Sequence, residues 1–259
     1  MTAAAAPATG WPYPRWIAHR GAGKLAPENT LAAFRLGARH GYRMFECDAK
    51  LSADGVVFLM HDATLARTTN GQAHFGNGAS AVGGDHPWSE LAQLDAGGWH
   101  SRRYAGEPLP TLENAARFCI ANGCHLNIEI KPTPGTEEAT GRAVAALAQR
   151  LWQGQAVPPL LTSFKPAALA GAREAAPALP RGLLLDALAE GWLDTARGLG
   201  CAAVVCNHAL WDAGHVAQVH GAGMRALSYT VNDEWAAQRL IGLGTDGIIT
   251  DRIDLFSPA

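Results

Sequence analysis

Residues 46–62, ECDAKLSADGVVFLMHD, contain two carboxylates separated by one residue, then a turn, then an apolar run that ends in His-Asp. Side chains two positions apart in a strand share a face, so Glu46 and Asp48 point together while Cys47 points the other way. On its own, such a pair is more often a solvated strand end than half of a metal-assisted active site. Residues elsewhere in the chain distinguish between these two interpretations.

A second acidic strand favours the metal site. In NIEIK, residues 127–131, Glu129 and Lys131 share one face and the two isoleucines share the other. If the carboxylates of neighbouring strands converge, they raise one another's pKa values unless a countercharge is present. Oxygen ligands suit a hard divalent cation, Mg²⁺ or Ca²⁺, better than zinc.

Histidines at two further strand ends add acid–base chemistry. His19 ends the first candidate strand in WIAHRG, and His61 ends the apolar run, beside Asp62. A histidine pair can supply the base and the acid of a displacement at phosphorus. Arg20 offers a planar fork and Lys131 a point charge for phosphate oxygens. A lone histidine at a strand end is more often structural, but this combination predicts a phosphate-directed site.

Short apolar runs that alternate with Ala/Leu-rich amphipathic segments position these residues. Eight runs predict strands, at 15–19, 43–49, 125–130, 159–163, 182–186, 202–207, 225–231 and 246–250. Helical patterns lie between them, near 30–40, 111–122, 137–152, 166–175, 188–199, 212–222 and 233–242. This alternation predicts a closed parallel TIM-type barrel, with a doubly wound open sheet as the alternative. The tail DRIDLFSPA is too short for a full eighth helix.

The turn SADG breaks the alternation. Asp-Gly favours a tight reversal and leaves no room for a crossover helix, so VVFLMHD should run antiparallel to the strand of Glu46. That hairpin returns His61 towards the carboxylates. Residues 63–110 then form an inserted cover over the barrel, because a loop of this length in a compact domain is usually functional.

Composition limits the partners. The chain has 259 residues, 48% of them hydrophobic, and 21 basic residues intermingle with 23 acidic ones. This balance argues against nucleic acid as a partner. Five cysteines without a CxxC pair predict buried free thiols in a reducing compartment. Residues 1–14 predict a flexible leader, and 15–259 a single domain. We expect a cytoplasmic protein without stable membrane insertion, and the sequence indicates no particular oligomeric state.

The motifs also resemble a known family. AHRG, APENTLAAFRLGARHG, FECDAKLSADGVVFLMHDATLARTTNG, ELAQLDAGGW, PTLENA, NIEIKP, TSF, YTVND and DGIITD follow one another from about residue 16 to 251. This series resembles the glycerophosphodiester phosphodiesterases, especially their small cytoplasmic bacterial members. The resemblance implies a phospholipase-C-like barrel with one divalent cation. It also implies cleavage of small glycerophosphodiesters to sn-glycerol 3-phosphate and an alcohol.

The resemblance also assigns residues. It implies acid–base roles for His19 and His61, metal ligation by Glu46, Asp48 and Glu129, and phosphate or substrate contacts by Arg20, Lys131, Glu28, Phe164, Tyr229 and Asn232. Tyr229 departs from the family, in which tryptophan is commoner at this position. Two alternatives stay open: a lysophospholipase-D-like enzyme acting on lipids, and a non-catalytic barrel that binds a phosphorylated metabolite.

Overall fold

The computed structural model describes residues 10–76 and 78–258. In this part of the chain nine strands form one sheet, and eight of them run parallel. The strands are β1 (Trp16–Ala18), β2 (Met44–Leu51), β3 (Val57–Leu59), β4 (His125–Ile130), β5 (Leu160–Ser163), β6 (Arg181–Leu185), β7 (Ala203–Asn207), β8 (Arg225–Tyr229) and β9 (Gly247–Thr250).

The eight parallel strands close into a barrel. β1 pairs with β9 through Trp16↔Ile248 and with β2 through Ala18↔Phe45, so both of its edges are hydrogen-bonded. The remaining parallel strands pair in chain order. This closure confirms the predicted barrel and excludes the doubly wound open sheet.

Seven helices of the described chain cover the outside of the barrel, as the amphipathic patterns predicted, and two short ones, at 71–75 and 88–91, belong to the insertion after β3. They are α1 (Leu31–Arg39), α2 (Gly71–Phe75), α3 (Trp88–Leu91), α4 (Leu112–Ala121), α5 (Glu137–Leu151), α6 (Pro166–Ala175), α7 (Trp192–Gly198), α8 (Ala213–Gly221) and α9 (Glu234–Leu243). Thr30 caps α1, and Thr111 forms a capping box at α4, which satisfies backbone N–H groups that lack an intrahelical partner. Residues 251–258, after β9, form no helix, as the short tail predicted.

The barrel interior changes from apolar to polar along β2. Met44 packs with Leu160, Leu227 and Ile249 in the interior of the barrel. Full burial of each such side chain stabilises the fold by about 1.5–3 kcal/mol. Two positions further along β2, the same face presents carboxylates, while Cys47 lies in the cluster between strands and helices. The apolar layer therefore closes one end of the barrel, and the carboxyl ends of the strands form the other.

The predicted hairpin is present. β3 runs antiparallel to β2 with Ala49 opposite Leu59, and Gly55 takes the positive φ (87°) that the turn requires. Beyond β3, the Met60 amide still donates to the Asp48 carbonyl at 3.0 Å. This bond holds the next residue, the histidine, beside the carboxyl end of β2.

The insertion that follows the hairpin has its own apolar cluster. Phe58, Met60, Leu65, Leu91 and Leu94 are buried together. The cluster holds α2, α3 and the loops between them against the hairpin. The described part of 63–110 is therefore packed against the barrel on the side of the predicted site.

The chain before β1 differs in part from the predicted leader. Residues 1–9 of that segment lie outside the described residues. Tyr13, however, is buried, packs with the interior cluster, and donates a hydrogen bond from its hydroxyl to the Pro158 carbonyl at 2.9 Å. Trp11 contacts the Tyr13 ring edge-on. Packing against the barrel thus begins before residue 15, because these two aromatic side chains cover its apolar end.

Candidate active site

Three carboxylates converge at the carboxyl ends of β2 and β4. Asp48 and Glu129 are directly paired across the two strands, and Glu46 lies on the same inward face. One oxygen from each carboxylate can be chosen so that all three lie within 4.8 Å of one another. Glu46, Asp48 and Glu129 are only 3%, 1% and 8% exposed, so water screens their mutual repulsion poorly.

The pKa values of these groups reflect the crowding. Burial raises the pKa of Glu46 well above its usual range, and the charges of Asp48 and Glu129 raise it further. Burial and Asp48 likewise raise the pKa of Glu129 to about 7. Burial opposes ionisation of Asp48 too, but Arg20 and Lys131 outweigh it and lower the pKa of Asp48. Asp48 is thus held ionised by its basic neighbours, while burial and carboxylate repulsion still oppose the ionisation of Glu46 and Glu129.

A cation fits this cluster. Glu46 Oε1 and Asp48 Oδ1 are buried and accept no hydrogen bond from any described residue. Buried carboxylate oxygens that accept no hydrogen bond are costly, and a hard divalent cation would satisfy them. The three predicted ligands could therefore hold Mg²⁺ or Ca²⁺.

Two basic side chains flank the carboxylates. Arg20 has a positive φ of 50°, a conformation that directs its backbone N–H to Glu46 Oε2 at 2.9 Å. Its Nε lies 3.2 Å from Asp48 Oδ2. Lys131 Nζ donates to Glu129 Oε1 at 2.7 Å and lies 3.6 Å from Asp48 Oδ1. Burial lowers the pKa of each cation, but the carboxylates outweigh it and raise both values.

The two histidines are each held through Nδ1 by an aspartate. His19 Nδ1 lies 2.7 Å from Asp251 Oδ1, and His19 Nε2 lies 3.8 Å from Glu46 Oε2. His61 Nδ1 lies 2.8 Å from Asp62 Oδ1. An ionised aspartate accepts from Nδ1–H, so Nε2 is the nitrogen left to exchange a proton. Burial lowers the pKa of His61, although Asp48 opposes this effect.

Most of the predicted site residues line one cavity of about 190 Å³, whereas Asp48 does not belong to its lining. Its lining includes eight of the predicted site residues: His19, Arg20, Glu46, His61, Glu129, Lys131, Phe164 and Tyr229. A larger cavity of about 310 Å³ lies within the insertion, between residues 64 and 81. The described residues that line that second cavity carry no ionisable side chain, so the smaller cavity is where chemistry can occur.

An aromatic wall closes one side of the active-site cavity. The rings of Phe164 and Tyr229 meet edge-on at 5.6 Å, and Lys131 Nζ lies 5.6 Å from the centroid of Phe164. The Tyr229 hydroxyl donates to the Leu185 carbonyl at 2.9 Å, and burial raises its pKa. Tyr229 therefore presents its ring, rather than its hydroxyl, to the cavity.

Two predicted substrate-binding residues, Glu28 and Asn232, bond to other side chains of the protein and do not line the cavity. Glu28 Oε1 accepts from Arg20 Nη1 at 2.8 Å. Asn232 exchanges two hydrogen bonds of 2.9 Å with Asp251, one to the carboxylate and one from the backbone N–H. Glu28 thus supports Arg20, which lines the cavity, and Asn232 supports Asp251, the partner of His19; neither Glu28 nor Asn232 belongs to the lining.

Sequence reasoning did not assign roles to Asn29, Lys50, Arg67 and Asp251. Asn29, at φ 58°, donates to Asp48 Oδ2 at 2.8 Å and accepts from the Asp48 N–H at 3.0 Å. Lys50 continues the inward face of β2, donates to the Lys131 carbonyl at 3.2 Å, and has its pKa lowered to about 8 by burial. The period-two pattern of β2 could have identified Lys50. The other three depend on contacts between distant segments.

The longest helix of the described chain, Glu137–Leu151, has 15 residues, and no helix there combines the length and apolarity of a membrane span.

Comparison with known proteins agrees with this geometry. Residues 19–255 match the model of the glycerophosphoryl diester phosphodiesterase family. A glycerophosphodiester phosphodiesterase of Caldanaerobacter subterraneus subsp. tengcongensis is 32% identical over 91% of this chain and 93% of its own length. An Oleispira antarctica phosphodiesterase, solved with its product sn-glycerol-3-phosphate, is 34% identical with a TM-score of 0.83, covering 92% of this chain and 93% of the other. The glycerophosphodiester phosphodiesterase of Agrobacterium tumefaciens is 31% identical with a TM-score of 0.76, covering 95% of this chain and 100% of the other.

Proposed function

We propose, from the premise that this chain belongs to the glycerophosphoryl diester phosphodiesterase family, that it hydrolyses glycerophosphodiesters to sn-glycerol 3-phosphate and an alcohol. Small substrates such as glycerophosphocholine and glycerophosphoethanolamine are the expected ones. The observation that carries the proposal is a single cavity lined by two histidines, two acidic residues, and the side chains of Arg20 and Lys131. The product bound to the Oleispira antarctica relative supports the same product class.

Glu46, Asp48 and Glu129 are the proposed ligands of one divalent cation. When bound, the cation would stabilise the negative charge that develops on the phosphoryl oxygens. Arg20 and Lys131, on either side of Asp48, would bind the same phosphate, the first through its planar fork and the second as a point charge. The Glu46 and Asp48 oxygens that accept no hydrogen bond support metal ligation, and both Mg²⁺ and Ca²⁺ suit an all-oxygen set.

His19 and His61 are the proposed acid–base pair. Each has Nδ1 held by an aspartate, which leaves Nε2 free to take a proton from the nucleophile or to give one to the leaving alcohol oxygen. The nucleophile is either water or the adjacent glycerol hydroxyl, and the second route forms a cyclic phosphate that water then opens. The Phe164–Tyr229 wall would contact the apolar edge of the substrate.

The reaction is proposed to occur in the cytoplasm. Five free, buried thiols support a reducing compartment. The complete set of acid–base and carboxylate side chains argues against a non-catalytic barrel, because a binding protein has no need of two aspartate-held histidines.

The deciding experiment measures glycerol 3-phosphate release from several glycerophosphodiesters, after chelation and after addition of Mg²⁺ or Ca²⁺. We expect metal-dependent release with the wild type. His19→Ala and His61→Ala should each lose about 10²- to 10⁴-fold in kcat while they keep the far-UV circular dichroism of the wild type. A lysophospholipid, measured alongside, tests the lipid alternative: faster turnover of the lipid would contradict the small-substrate proposal.

A further inference from the structure

Arg67 bridges the two arms of the site. Its Nη1 and Nη2 each donate to one oxygen of Glu28 at 2.8 Å. Its Nε donates to Asp62 Oδ2 at 2.7 Å, and Nη2 also reaches Asp62 Oδ1 at 3.0 Å. A single guanidinium therefore holds two carboxylates, each through both of its oxygens.

Both carboxylates touch a residue that lines the cavity. Glu28 Oε1 also accepts from Arg20 Nη1 at 2.8 Å, and Asp62 Oδ1 also contacts His61 Nδ1 at 2.8 Å. The hydrogen bonds thus run without interruption from Arg20 through Arg67 to His61. Arg20 follows β1 and His61 follows β3, so this chain of contacts joins two loops that are far apart in sequence.

The insertion holds Arg67 in place. The amide of Leu65, a buried residue, donates to the Ala81 carbonyl at 2.8 Å. On the other side of Arg67, the Gly71 amide donates to Thr69 Oγ1 at 3.0 Å. The backbone around Arg67 is therefore fixed by insertion contacts, independently of its side chain.

We propose that Arg67 is a positioning residue that fixes the guanidinium of Arg20 and the imidazole of His61 relative to each other. A carboxylate held at both oxygens cannot rotate about its terminal bond, so Asp62 offers His61 one fixed acceptor and Glu28 offers Arg20 another. The inference rests on the proposed phosphodiesterase activity. It also gives the segment 63–110 a role in catalysis, namely to deliver this side chain.

The proposal depends on the planar, forked guanidinium group of Arg67. Lysine would keep the positive charge, but an ammonium is a point charge that cannot align the planes of two carboxylates. Arg67→Lys therefore separates geometry from charge. Arg142, on α5, provides a matched control: its side chain is 43% exposed against 44% for Arg67, and it also contacts two carboxylates, those of Glu138 and Glu174.

The test is steady-state kinetics with glycerophosphocholine at saturating Mg²⁺ or Ca²⁺, for the wild type, R67A, R67K and R142A. We expect R67A to lose about 10- to 100-fold in kcat, with a smaller change in KM. R67K should stay close to R67A, and R142A should match the wild type. Guanidinium ion, added far below the concentrations that unfold the protein, should raise the kcat of R67A and leave R142A unchanged.

Several results would overturn the inference: R67A as active as R142A, R67K at the wild-type rate, a loss confined to KM, or no response of R67A to guanidinium. Circular dichroism checks that the variants fold. If R67A does not fold, the comparison of R67K with the wild type tests the inference. An inactive wild type would refute the proposed function instead, so the two failures are distinguishable.

Discussion

The carboxylate cluster should make the metal-free protein less stable as the pH rises. Burial and Asp48 raise the pKa of Glu129 from the ordinary value of 4.5 to about 7, so the folded protein keeps a proton that the unfolded chain has already released. The contribution of Glu129 to the free energy of unfolding must then fall between these two pH values. The pKa of Glu46 is raised for the same reasons, so its contribution has the same sign.

The rise for Glu129 alone corresponds to about 3 kcal/mol of stability lost between pH 4.5 and pH 7. This conversion is appropriate because Glu129 is only 8% exposed. His61 opposes the trend: its pKa is lowered, so its contribution rises with pH up to its unfolded value near 6.5. A bound divalent cation should take the place of the proton, and at 100 times its Kd it would add about 2.7 kcal/mol.

The assay is urea unfolding from pH 5 to pH 8, after chelation and with saturating Mg²⁺ or Ca²⁺, for the wild type and Glu129→Gln. Chelated wild type should lose stability across this range relative to Glu129→Gln, and the cation should stabilise the wild type more at pH 8 than at pH 5. Glu137→Gln, at a partly exposed glutamate outside the site whose pKa is lowered by backbone hydrogen bonds, is the control, and its stability should show the same pH dependence as the wild type between pH 5 and pH 8. Parallel curves for wild type and Glu129→Gln would refute the reasoning.

Three further predictions concern the supports of the site. Asp251→Asn should lower kcat by about 10²- to 10⁴-fold, because an amide facing His19 favours the wrong tautomer; kcat near the wild-type value would show that the partner of Nδ1 is dispensable. Gly23 has a left-handed backbone, which costs an alanine about 1–2 kcal/mol. Gly23→Ala should destabilise the fold by more than this amount, because the new Cβ would lie 2.1 Å from the Asp251 carbonyl oxygen. Gly55→Ala, also at positive φ but in open space, is its control in thermal unfolding, and equal losses would contradict the clash. Tyr229→Phe should cost about 1 kcal/mol in urea unfolding and leave KM unchanged, because the hydroxyl bonds the backbone while the ring faces the cavity; a large rise in KM would instead assign the hydroxyl to substrate.

The parts of the site that sequence reasoning predicted are those that depend on local geometry. The period of two in a strand orients Glu46 with Asp48, and the Asp-Gly turn fixes the direction in which His61 returns. Packing of aromatic residues before β1 was missed, because nothing local marks Tyr13 as the cover of a barrel end.

The side chains that hold the proposed catalytic groups could not be predicted in this way. Asp251 lies 232 positions from His19, and Arg67 lies 39 positions from Glu28. Asn29 contacts Asp48 only because its backbone has a positive φ, which no pattern of hydrophobicity encodes. Strand order brings such residues together, and the sequence does not state which oxygen will accept from which donor.

The charges around the cavity explain why the cation and the substrate should bind together. When ionised, Glu46, Asp48 and Glu129 outnumber the two cations that contact them, Arg20 and Lys131, by one negative charge, and this excess would repel a phosphodiester anion. A bound divalent cation would reverse the sign of this set, leaving it with one net positive charge. Because water is largely excluded from these buried carboxylates, salt should screen the electrostatic effect of the bound cation only weakly. Substrate affinity should therefore depend steeply on the cation and only weakly on ionic strength, whereas a site relying on exposed basic side chains would behave in the opposite way.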